Sequence, residues 1–132
     1  MSKRKLIMKR AEDALQIWPV LVWAARNQQT MTYKDLSELT DIDWNAHTDG
    51  GRMSKSLEII YRYCETELNC FLTVLIVGQK SGTPGTGLSV ADDDFDKARQ
   101  KIFGLSRKKG FLRSPGLEKL KQFIIRWNKK NF

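Results

Sequence analysis

Between Thr30 and Gly87 the chain switches hydrophobic period from helical to extended and then breaks into glycine and proline, and that order limits its fold more than any other feature. Thr32-Tyr33-Lys34-Asp35 sets an N-cap hydroxyl three residues ahead of an acid, with Leu36 and Leu39 following at inward spacing. A helix of about two turns is predicted there. Asp41 to Gly51 is polar and closes on Asp49-Gly50-Gly51, the composition of a connecting loop. From Arg52 to Leu68 the residues Met53, Leu57, Ile60, Tyr61, Cys64 and Leu68 form one stripe at helical period, the strongest helix signal in the chain. Phe71 to Val77 is almost continuously apolar and rich in β-branched residues, which predicts a buried strand. Gln79 to Gly87 is turn chemistry, and Leu88-Ser89-Val90 supplies a short returning strand.

The flanks are helical by pattern. Leu15, Trp18, Leu21, Val22 and Ala25 recur at threes and fours within Ala11 to Asn27, and Leu6 to Met8 extend that pattern upstream. Pro19 implies either a kink or two helices, the second opening at the proline. Acids at Asp92 to Asp94 precede an inward stripe of Phe95, Ala98, Ile102 and Phe103. Pro115 opens a last helix whose Leu117, Leu120, Phe123, Ile124 and Trp127 share a face. Trp18 and Trp23 fit core positions, and Trp44 falls in the polar loop. The expected fold is mainly α with a small β-hairpin: a basic arm over residues 1–10, a winged helix-turn-helix over 11–90, and a basic helical extension packed on it over 91–132.

At 132 residues and 41% hydrophobic, the chain can build one core without staples. No apolar run approaches the ~20 residues of a bilayer span, and the first residues lack the apolar core of a signal peptide, so a soluble cytoplasmic protein is expected. Cys64 and Cys70 read as buried small hydrophobes. The formal charge of +8 is unevenly distributed: residues 1–10 carry +5, residues 11–90 carry −4, and residues 91–132 carry +7. Basic ends of this kind either clamp phosphates or solubilise a surface.

Helix-turn-helix geometry places one helix in a duplex groove and, with a wing, a hairpin on the backbone. Arg52, Ser54, Lys55 and Arg62 are the candidate groove contacts on the long helix, with Ile59 and Thr66 on the same outward side. Lys80 is the candidate backbone contact of the wing. Lys3, Arg4, Lys5, Arg107, Lys108, Lys109 and Arg113 are the candidate phosphate contacts of the tails. Glu58, Glu65 and Glu67 share the long helix and oppose a polyanion, so the same face also reads as ordinary solvated surface. A second function class follows from the acidic middle segment and the last helix, whose Phe123, Ile124 and Trp127 would serve a protein partner or a homodimer.

Catalysis has little to stand on. Asp41, Asp43, Asn45, His47 and Asp49 begin like a calcium loop, but Ala46 replaces the sharp-turn glycine and Arg52 the bidentate glutamate. His47 is the sole histidine, no Walker loop is present, and neither metal nor cofactor is expected.

The run from Met31 to Gly87 resembles the C-terminal DNA-binding domain of alkylguanine-DNA alkyltransferases and alkyltransferase-like proteins. Thr32-Tyr33-Lys34-Asp35-Leu36 is similar to that family's Ser/Thr-Tyr-Gly-Glu-Leu helix start, Gly51-Arg52-Met53 to the opening of its recognition helix, and Val77 to Gly82 with Gly85 and Gly87 to its hairpin. The resemblance implies minor-groove docking with Arg52 entering the duplex. It also implies no alkyl transfer, because the family's Pro-Cys-His-Arg segment falls at Phe71 to Leu75, where Leu72, Thr73 and Val74 offer no nucleophile. The early Trp-Pro and late Thr-Pro-Gly resemble small winged-helix-like domains of phages and bacterial defence regions.

Overall fold

A computed structural model describes residues 2–43, 51–77, 95–108 and 113–131. The described residues are mainly helical, with a two-stranded parallel sheet. Helix α1 spans Lys3–Arg26. Ser2 caps it by accepting from the Lys5 amide at 3.2 Å, and the helix then runs straight through the expected basic arm. Pro19 sits inside this one helix, so the chain continues past the missing N–H instead of restarting there. Ala11, Ala14, Ile17, Trp18, Leu21, Val22, Ala24 and Ala25 are buried, and small alanines on that side let neighbouring elements approach closely. The helix ends where the Asn27 side chain donates to the Trp23 carbonyl at 2.8 Å and Gln28 turns left-handed at φ 53°.

Strand β1 (Met31–Thr32) pairs in parallel with β2 (Ile76–Val77), in the register Met31 to Ile76 and Thr32 to Val77. Helix α2 (Tyr33–Leu39) begins at a complete capping box: Thr32 Oγ1 accepts from the Asp35 amide, and Asp35 Oδ2 accepts from the Thr32 amide, both at 3.1 Å. Leu36 is fully buried, but Leu39, expected to face inward, is 60% exposed as the last residue of this short helix.

Helix α3 spans Arg52–Tyr63 and continues into a single π-helical turn over Cys64–Leu68, which the left-handed Asn69 closes at φ 49°. The expected strand from Phe71 to Val77 is corrected. Leu72–Leu75 form a 3-10 turn, and only Ile76–Val77 are extended. A continuous apolar run specifies burial without specifying period, and this one is enclosed by α1, α3 and α4 (Phe95–Ser106). The observed strand pairing is parallel and joins segments on either side of α2 and α3; the expected return of the hairpin, Leu88 to Val90, lies outside the described residues.

Helix α5 (Leu117–Asn131) packs on α1. Its Leu120, Phe123 and Ile124 are buried in the same core as Trp18 and Ile60. A chain of edge-on aromatic contacts ties the three long helices together: Trp18 of α1 meets Tyr63 of α3 at 5.8 Å, and Tyr63 meets Phe123 of α5 at 5.3 Å. The apolar face that a partner or second copy would use is therefore largely occupied inside the chain, with Trp127 half-buried at its margin.

Candidate nucleic-acid interface

In the structure Arg52 is engaged within the chain. Its Nε donates to Asp13 Oδ2 and one terminal nitrogen to Asp13 Oδ1, both at 2.7 Å, while the other donates to the Asp41 carbonyl at 3.2 Å. Asp41 Oδ1 lies 3.5 Å away. The hydrogen bond to Asp13 raises the Arg52 pKa further above its ordinary value, against the opposing effect of burial. Asp13 is only 4% exposed on α1, so this fork neutralises a buried carboxylate and fixes the start of α3 to the middle of α1.

The rest of α3 presents a mixed face. Met53, Ser56, Leu57, Ile59, Ile60, Tyr61 and Tyr63 are all buried. Ile59, expected outward, belongs to the core, because α3 is covered by neighbours on more than one side. Ser54 is half-buried and Lys55 exposed. Arg62 pairs with Glu65 at 3.4 Å and lies over the Tyr61 ring at 5.1 Å. Lys55, Glu58, Arg62 and Glu65 thus share the outer side with two charges of each sign, giving little field to attract a phosphate.

The tail residues are placed differently. Lys3, Arg4, Lys5 and Lys9 are exposed on the first turns of α1, where no acid occupies the first turn. None of the four forms an ion pair with an acid among the described residues. The amide end of a helix already carries partial positive charge, so these side chains add to it instead of offsetting it.

Arg107 and Lys108 are exposed directly after α4, and Ser106 Oγ sits 3.3 Å from the Ala25 carbonyl at the other end of α1. Arg26 is exposed on that same end. At 1.5 Å per residue, the twenty residues from Lys5 to Ala25 separate the two basic groups by about 30 Å. They form two poles, not one patch. Arg113 is exposed ahead of α5, and Lys80 and Lys109 lie outside the described residues, as do Trp44 and His47.

Trp23 was expected in the core and is 52% exposed on α1, one turn before Arg26. Its five-residue offset from Trp18 was the available signal: at 100° per residue the two side chains point about 140° apart, so a helix buried on one stripe cannot cover both. The corresponding sequence signal for Arg52 was absent, since Asp13 lies thirty-nine residues upstream.

No helix among the described residues is long and apolar enough to cross a membrane. No protein-family model matches the chain, and neither a curated protein nor a solved structure matches it.

Proposed function

We propose that this chain is a non-catalytic protein that binds duplex nucleic acid, with the basic first turns of α1 as the principal phosphate contact. The observation that carries this reading is the group of Lys3, Arg4, Lys5 and Lys9, exposed and without acidic partners among the described residues at the positive end of a long helix. Arg26, Arg107 and Lys108 supply the second pole. Its separation of about 30 Å approaches the roughly 34 Å repeat of a B-form duplex, so one face of DNA would meet both. Exposed Trp23 beside Arg26 adds an aromatic surface of the type that meets bases or sugar edges. In this reading α3 supports the surface, and Lys55 is its one exposed cation available to a neighbouring phosphate.

The fold supporting this interface is proposed to be a winged helix-turn-helix in which α2 and α3 are the paired helices, as the Thr32 capping box and the start of α3 at Arg52 support. A bacterial cytoplasm, and a phage or mobile-element setting, fit the basic charge and the sequence resemblance. A gel shift with a short duplex at low ionic strength tests the reading: a retarded complex that dissolves as salt rises supports it, and no complex at low salt overturns it.

Trp23 and Leu39, both large, apolar and exposed, favour a second reading in which the chain binds and modulates a protein. Affinity purification under nuclease treatment separates the two, because a protein partner survives the nuclease and a nucleic-acid bridge does not.

A further inference from the structure

Cys64 and Cys70 are the two cysteines of the chain, and both are buried thiols. In a regular α-helix, residues six apart point about 120° away from one another. Here the π-helical turn over Cys64–Leu68 widens the coil, Asn69 reverses it at φ 49°, and the Cys70 amide donates back to the Cys64 carbonyl at 3.3 Å. That backbone bond brings the two buried cysteines together at the end of α3. Wide helical turns of this kind are uncommon and recur where a local geometry serves a purpose.

A cation reaches the same turn. Lys101 of α4 reaches across and donates from Nζ to the Asn69 carbonyl at 2.6 Å. The Cys70 thiol is drawn below the ordinary thiol range, first by its hydrogen bond with Cys64 and further by the Lys101 charge, while burial opposes both. Cys64 is pushed well above that range by the same hydrogen bond and by burial. The two sulfurs are thereby made unequal, with Cys70 the more readily deprotonated of the pair.

We infer that Cys64 and Cys70 form a dithiol site that a small hydroperoxide oxidises to an intramolecular disulfide. The Cys70 thiolate attacks one peroxide oxygen and the O–O bond breaks; the departing hydroxide takes up the proton released by the thiol and leaves as water, giving a sulfenic acid on Cys70. The Cys64 sulfur then displaces the sulfenic hydroxyl, which leaves as a second water with the Cys64 proton, and the S–S bond forms. Two thiols are oxidised and one peroxide is reduced to two waters. Glu65, Thr66, Glu67 and Asn69 form the exposed outer side of the turn, so opening this one turn admits a water-sized oxidant without global unfolding. The disulfide staples the end of α3 to the start of the 3-10 turn that lies beneath α1.

The test is intact-mass analysis of the full folded chain after hydrogen peroxide, with iodoacetamide labelling under denaturing conditions and peptide mapping. The expected result is a loss of about 2 Da, loss of both alkylatable thiols, a mapped Cys64–Cys70 link, and full reversal by dithiothreitol. Cys64→Ser is expected to stop at a sulfenic acid on Cys70 that dimedone captures, and Cys70→Ser to yield far less adduct on Cys64. Retention of both alkylatable thiols after the methionines have oxidised, or a disulfide that forms only between chains, overturns the proposal. Preferential dimedone capture at Cys64 overturns the assignment of Cys70 as the attacking sulfur. The wild-type mass and map decide the matter even where a serine variant does not fold.

Discussion

Arg52 and Asp13 hold each other through two parallel hydrogen bonds of 2.7 Å, across thirty-nine residues of sequence and between the start of α3 and the middle of α1. The pair converts a residue with the appearance of a groove probe into a brace. Its carboxylate is almost fully buried while the guanidinium remains 30% exposed, so loss of either partner leaves a charge in unequal surroundings.

Asp13→Ala is expected to lower stability by about 2–3 kcal/mol, less than a wholly buried pair would cost because solvent still reaches Arg52. Arg52→Met is expected to cost a similar amount, since it strands the buried carboxylate. A urea-denaturation double-mutant cycle checks this, with a coupling of about 1–3 kcal/mol expected. Additive losses would show that the two side chains act independently.

The capping box at the start of α2 gives a smaller prediction. Asp35→Ala removes the acceptor for the Thr32 amide and is expected to cost about 0.5–1 kcal/mol by urea melt. Asp35→Asn, which retains a side-chain oxygen acceptor, should lose less.

Gln28 offers a gain instead of a loss. Its φ of 53° lies in the left-handed region that a side chain disfavours, and its backbone N–H already bonds to the Ala25 carbonyl at 3.1 Å. Gln28→Gly is expected to stabilise the chain by about 0.5–1 kcal/mol, read as a higher thermal midpoint. An unchanged or lower midpoint would contradict a strained helix exit.

Phe123 is the outer link in the Trp18–Tyr63–Phe123 contacts. Phe123→Ala is expected to cost about 3–4 kcal/mol, because it deletes a buried ring and its edge-on partner contact together. Hydrogen exchange should show α5 losing protection before α1 and α3. Uniform loss across all three helices would mean that α5 is not a separable layer.

Much of this architecture was legible locally. Thr32 and Asp35 announce the start of α2, the stripe from Met53 to Cys64 announces α3, and Leu120, Phe123 and Ile124 announce the buried face of α5, because each signal is contained within a few turns of one helix. What escaped was set by partners distant in sequence. Arg52 is occupied by an aspartate in another helix, and Ile59 is covered because α3 is enclosed on more than one side. Leu72 to Leu75 show the remaining limit: their apolar character specifies burial, but the choice between a strand and a 3-10 turn rests on the elements that surround them. For the candidate interface, the tails were identified by charge alone, whereas their separation onto opposite ends of α1 required the length of that helix and the contact between Ser106 and Ala25.

The most direct test of the proposed interface is fluorescence anisotropy of a labelled duplex across a salt series, comparing the wild-type chain with a variant carrying Lys3→Gln, Arg4→Gln, Lys5→Gln and Lys9→Gln. Wild-type affinity should fall linearly on a log–log plot, and the variant should bind more weakly with a slope shallower by about 2–4, as expected for two to four lost phosphate contacts at about 0.9 each. Absence of salt-dependent binding by the wild-type chain, or an unchanged slope in a folded variant, would contradict a phosphate-binding role for the start of α1.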